Sequence, residues 1–169
     1  GLDAARPWFF LHSGSGGSAN NLSIDQYAQL VLSMHQQLQQ EQRKLPQWVL
    51  TCGPGEEASV ESLRQHIPDD VECVIYPSTH GLAAFAKSIA TAQFMVAGST
   101  GPLHIAGALD VPTVGFFPAK RSATPLRWRP CNSEGRTISF SPDLQGKALT
   151  DMSTIDVNLC AQRIVSWLS

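Results

Sequence analysis

The chain has 169 residues, 43% of them hydrophobic and 15% charged, with a formal net charge of −2. That length fits one domain with a substantial core; the composition excludes a disordered chain and a nucleic-acid binder that depends on a basic surface. No apolar run approaches the ~18 residues of a membrane span, and no basic start followed by an apolar stretch marks a secretory signal, so a soluble, cytoplasmic protein is expected.

The first strand is expected over Pro7 to His12, followed by a glycine-rich loop from Ser13 to Asn21. Ser23 opens a helix, with Gln26 three residues on completing a capping box. Ile24, Tyr27, Val31, Met34 and Leu38 form one stripe of that helix, which Pro46 ends. Gln47 to Cys52 reads as the second strand, and the loop Gly53-Pro-Gly-Glu-Glu57 leads to a helix from about Ser59 to His66. Val71 to Tyr76 is the third strand. A small-residue helix spans His80 to Ala92, with Leu82, Phe85, Ala86 and Ile89 facing inward. Phe94 to Ala97 is wholly apolar, as a strand buried on both faces requires. Gly98-Ser-Thr-Gly101 turns into a helix with Pro102 near its start. Pro112 to Phe116 is a fifth strand, Phe117 to Gly135 a loop carrying Lys120, Arg121, Arg127 and Arg129, Arg136 to Phe140 a sixth strand, and Ile155 to Leu168 a closing helix. This alternation predicts an α/β fold: a Rossmann-like three-layer αβα domain with a parallel sheet of about six strands.

Ligands of such a sheet bind at the carboxyl ends of the strands, so the loops after the strands are the candidate sites. In Ser13 to Asn21, glycines allow close backbone approach and Ser13 and Ser15 offer hydroxyls. No Gly-Lys-Ser/Thr follows, and no helix starts on the last glycine, so neither a Walker loop nor a dinucleotide fingerprint is present. The Gly98–His104 turn delivers Ser99 and Thr100 to a helix N-terminus, where free N–H groups favour phosphate, with His104 one turn on. Simple capping by Ser99 or Thr100 and a packed His104 are the alternatives. Glu56 and Glu57 suit a ribose diol or another polyol, and equally a solvated charge pair. Together the loops describe a pocket for a phosphate-bearing ligand with hydroxyls. No metal-ligand spacing occurs. His35 and His66 are expected on helix surfaces, and Cys52, Cys73, Cys131 and Cys160, all far apart, as reduced small apolar side chains.

The order of these motifs resembles a known family. A strand ending in His-Ser-Gly-Ser-Gly, a strand with Gly-Pro-Gly-Glu-Glu, and the run from Phe94 to Phe117 containing Gly-Ser-Thr-Gly-Pro-Leu-His look like the C-terminal half of the heptosyltransferases, glycosyltransferase family nine. The resemblance spans about residues 7 to 168. It implies one half of a GT-B architecture: residues 1–169 as the nucleotide-sugar-binding domain, with the acceptor domain and the catalytic carboxylate in an N-terminal half outside this chain. It also implies an inverting, metal-independent transferase of lipopolysaccharide core or related surface-glycan synthesis, needing no cofactor. Its donor would be ADP-heptose-like and its acceptor a glycolipid. No nucleic acid is involved, and the full-length protein would work at the inner face of the membrane. Carried over by motif, Ser13 and Ser15 would touch the donor phosphates and Glu56 (or Glu57) the ribose. Thr100, Gly101 and His104 would line the diphosphate and sugar, and His80 would lie beside the adenine. This chain has Ser99 where the family usually has an aspartate that helps hold the sugar, and no lysine in Ser18 to Asn21, where the family tends to place one. These departures leave a different nucleotide sugar, or a catalytically weakened relative, in play, and the alternative reading is a non-catalytic nucleotide- or sugar-binding module. A dinucleotide-dependent oxidoreductase is disfavoured, because the glycine loop does not open a helix and no acidic residue ends the second strand.

Overall fold

A computed structural model describes residues 2–14, 20–76, 78–120, 124–142 and 149–169. Six strands, β1 (Trp8–His12), β2 (Gln47–Thr51), β3 (Cys73–Tyr76), β4 (Phe94–Gly98), β5 (Thr113–Phe116) and β6 (Thr137–Phe140), form one sheet in the order β3-β2-β1-β4-β5-β6. Every pairing is parallel, with His12 in register with both Thr51 and Ala97. The helices are α1 (Ile24–Gln40), α2 (Glu57–His66), α3 (Gly81–Ile89), α4 (Gly101–Ala108), the single turn α5 (Pro125–Trp128) and α6 (Val157–Trp167). Short 3₁₀ turns stand at Ser78–His80 and Met152–Thr154.

Strand alternation sorts the core into two layers. Phe9, Leu11, Trp48, Leu50, Phe94 and Val96 face α1, α2 and α6, while Phe10, Val49 and Met95 face Ile89 of α3 and Ala106 of α4. Both faces of the central strands are therefore covered, which is why β4 reads as an unbroken apolar run. Phe9, Trp48 and Phe94 meet at ring-centroid distances of 4.4–6.1 Å on one face, the spacing aromatic pairs favour.

The capping box forms as the spacing requires. Ser23 Oγ accepts the Gln26 N–H at 3.1 Å, and Gln26 Oε1 accepts the Ser23 N–H at 3.0 Å. Three expectations are corrected. His35 lies in the interior rather than on the surface, because α1 is flanked by both α6 and α2 and so buries a wider arc than one stripe. Neither of its ring nitrogens has a hydrogen-bond partner among the described residues. Leu82, expected inward, is 68% exposed; α3 begins at Gly81, just past the carboxyl end of β3, so its first turn overhangs the sheet. The late loop contains α5, whose Leu126 is largely exposed. Smaller differences are at element ends: α2 starts at Glu57, β3 at Cys73 and α6 at Val157, with α3 stopping at Ile89. No helix among the described residues is long and apolar enough to cross a membrane.

Candidate functional site

The strand order places the topological switch between β1 and β4, where one connection runs to the left of the sheet and the next to the right. The loops leaving these strands diverge, opening a crevice at their carboxyl ends. Four of the expected residues stand along this rim. His80 follows β3, Glu56 follows β2, Ser13 follows β1, and Thr100 follows β4. Adjacent strands lie ~4.8 Å apart, so three spacings give a row about 14 Å long.

Ser13 is buried, yet its hydroxyl has no hydrogen-bond partner among the described residues. A buried polar group without a partner carries a desolvation cost that a ligand can offset. Opposite it, Thr100 is the residue at the cap of α4, with extended backbone (φ −134°, ψ 166°), but its side chain makes no capping bond. Its hydroxyl instead turns back to the Gly98 carbonyl at 3.3 Å. Simple capping by Thr100 is therefore not what the turn does. The first turn of α4 leaves the amides of Gly101 and Leu103 without intrahelical acceptors, while Pro102 has none to offer. Open space lies around the Gly101 α-carbon. Ser99, Thr100 and His104 are all half-buried, so His104 is not a packed core side chain.

Glu56 is the most constrained member of the row. Its Oε2 accepts the Gly53 N–H at 2.8 Å, and its carboxylate packs on Gly14 so closely that a β-carbon there would overlap it. The side chain thus links the loop after β2 to the loop after β1. Glu57, the alternative, is exposed in the first turn of α2. Beneath Glu56, His12 Nδ1 pairs with Thr51 Oγ1 at 3.0 Å. Burial holds the His12 pKa below the usual histidine value of 6.5, an effect the Glu56 carboxylate partly opposes.

Asn21, the last residue of the glycine-rich loop, proves central. Its Nδ2 donates to the Ser13 carbonyl at 2.9 Å, and its Oδ1 accepts the Leu22 N–H at 2.9 Å and the Tyr27 hydroxyl at 2.6 Å. Its only signal in the sequence is an asparagine two residues before a helix cap, which is too common to single out. His80 is exposed and makes no capping bond at the start of α3, two strands from β1. Ser15, and Arg121 of the basic loop, lie outside the described residues, whereas Lys120, Arg127 and Arg129 are exposed. Among the described residues no three His, Cys, Asp or Glu side chains come together as metal ligands would. All four cysteines are free, with Cys52 and Cys160 buried and Cys131 exposed.

A model of glycosyltransferase family 9 (heptosyltransferase) matches residues 4–154. A putative glycosyltransferase of Haemophilus influenzae is 40% identical over 158 residues, a match covering 94% of this chain and 44% of that protein. Among solved structures, the E. coli ADP-heptose lps heptosyltransferase II matches with a TM-score of 0.75 at 18% identity, over 99% of this chain and 48% of that one. The glycosyl transferase family 9 of Veillonella parvula matches with a TM-score of 0.76 at 12% identity, over 99% and 47%. E. coli heptosyltransferase WaaC with ADP matches at 0.72 and 15%, over 98% and 46%. The chain spans about half the length of these relatives.

Proposed function

This chain belongs to glycosyltransferase family 9, and we propose that it holds the nucleotide-sugar donor, an ADP-heptose-like molecule, along the row of strand ends. The observation that carries this reading is that Ser13, whose buried hydroxyl has no partner among the described residues, follows β1 beside β4, whose own end leads into the uncapped start of α4. That pairing suits a diphosphate, which accepts from a hydroxyl and from helix N-terminal amides. The order along the rim then follows the order of parts in a nucleoside diphosphate sugar. The base lies toward His80, the ribose at Glu56, the diphosphate between Ser13 and Thr100-Gly101, and the sugar by Ser99 and His104. Ser15 would join Ser13 on the phosphates. The structures of WaaC with ADP and with ADP-2-deoxy-2-fluoro heptose support such a donor.

In the inverting reaction we infer, an acceptor hydroxyl attacks the anomeric carbon as the bond to the diphosphate oxygen breaks. The nucleoside diphosphate departs with the electron pair. The contribution of this chain is to position the donor and to stabilise the growing charge through the α4 amides and dipole, without a metal. A base must take the hydroxyl proton. We place that base and the glycolipid acceptor site in the other half of the longer family architecture, and the assembled enzyme in surface-glycan synthesis at the inner membrane face. The chain alone should then bind donor without transferring sugar.

Calorimetry with ADP-, UDP- and GDP-sugars tests the site. The chain should bind one class, and Thr100→Ala or His104→Ala should weaken it about tenfold, the worth of one or two hydrogen bonds. Failure to bind any of them, or turnover by residues 1–169 alone, would overturn the respective part of the reading. A second reading, a module that binds but has lost chemistry, is favoured by Ser99 and by the lysine-free Ser18–Asn21 stretch. Restoring an aspartate with Ser99→Asp separates the two: donor affinity that rises marks an adapted family member, and affinity that is unchanged favours the lapsed module.

A further inference from the structure

We propose that Asn21, locked by Tyr27, is the positioning residue that sets the gap between the two walls of the nucleotide site; the inference rests on the site assigned above. The bond pattern fixes the orientation of its amide. The Leu22 N–H can only donate, so the oxygen that receives it must be Oδ1, and the remaining NH₂ faces the Ser13 carbonyl. The Tyr27 hydroxyl, on a fully buried ring, donates to the same Oδ1 at 2.6 Å and lies beside the Gly98 backbone. One amide and one phenol thereby join the end of β1, the start of α1 and the end of β4.

The contact with β4 admits no substitute. A β-carbon on Gly98 would stand 2.5 Å from Asn21 Oδ1 and 2.9 Å from its Cγ, so the absence of a side chain at Gly98 makes room for the amide beside the strand end. Ser13 and Gly98 are the last fixed points before the two site loops. Holding them through a single rigid planar group keeps the Ser13 hydroxyl and the α4 amides at constant separation, which preorganises them for a diphosphate that bridges the two. The ring of Tyr27 is anchored by the core, with Phe116 edge-on at a centroid distance of 6.3 Å, so the clamp is referenced to the sheet rather than to the loops.

Two variants cut the clamp at different points. Asn21→Leu keeps the branched shape and removes all its side-chain bonds; Tyr27→Phe removes only the phenol. Affinity of the chain for ADP, read by calorimetry, should fall about tenfold or more in Asn21→Leu and by a smaller factor in Tyr27→Phe. Hydrogen exchange should quicken at the amides of residues 13–14 and 98–101 in both variants while the amides of β2 and β5 remain protected. Gly98→Ala should reproduce the Asn21→Leu result by displacing the amide. Unchanged ADP affinity in Asn21→Leu, with the unaltered chain binding ADP, would overturn the positioning role while leaving the site assignment standing. Where the unaltered chain binds UDP or GDP in place of ADP, that nucleotide is the probe; if it binds none of the three, both fall. Faster exchange spread evenly over the sheet would reduce the clamp to ordinary stability and likewise overturn it.

Discussion

The contact between Gly14 and Glu56 gives the most discriminating prediction. Gly14 does not have the positive φ that would by itself demand glycine, so Gly14→Ala is penalised by the space it needs rather than by backbone strain. The new β-carbon would stand 2.8 Å from Glu56 Oε1 and closer still to Oε2 and Cδ, whereas ordinary contact begins near 3.4 Å. The carboxylate lies at the far end of a flexible side chain and can swing aside. In doing so it abandons the Gly53 N–H that Oε2 accepts at 2.8 Å. Breaking a hydrogen bond to a charged group costs about 1.5–3 kcal/mol. Urea unfolding should register that loss for Gly14→Ala and a comparable loss for Glu56→Ala. The double variant should be barely worse than Glu56→Ala alone, because the carboxylate that the methyl group would meet is then gone. The resulting coupling should be about 1.5–3 kcal/mol, nearly the whole of the Gly14→Ala loss. Losses that add to within about 0.5 kcal/mol would show that the two residues do not share one contact and would refute the reasoning. In the same variants, ADP-sugar affinity should fall together with the displacement of Glu56.

Three further outcomes follow from the same structure. Ser13→Ala removes a buried hydroxyl that has no partner among the described residues, so thermal stability should hold or rise slightly while donor affinity drops about five- to tenfold by calorimetry; a loss of stability would mean that the hydroxyl is bonded. Stability should decline as pH falls through about 6.5: burial lowers the pKa of His12 and of His35 below 6.5, so the unfolded chain binds protons that the folded chain refuses. Urea midpoints measured from pH 8 to pH 5 should show this decline, and His35→Leu should flatten part of it; an unchanged slope in that variant would exclude His35 as a source. Cys131 should be titrated by a thiol reagent in the native protein, whereas Cys73 and Cys160, whose thiols burial pushes up to about 11 and about 12, should react only on unfolding.

The sequence by itself determined the doubly wound α/β fold, the strand and helix sequence, the Ser23–Gln26 capping box and the strand-end loops that matter. Each of these is written in local periodicity or in a short motif. The apolar β4 run declared two covered faces, and the Gly-Ser-Thr-Gly-Pro-Leu-His turn declared a helix start directly after a strand. The tertiary structure decided what depends on packing between distant segments. Whether Glu56 or Glu57 turns toward the loop after β1 depends on the contact with Gly14, many positions removed. His35 went inside because α2 and α6 both flank α1, and Leu82 went outside because α3 overhangs the sheet. Asn21 became a clamp only once β1, α1 and β4 converged on it. Hydrogen bonds and close contacts across 6 to 77 positions of chain leave no periodic trace, because they are set by where the strands lie in the sheet and not by neighbours in sequence.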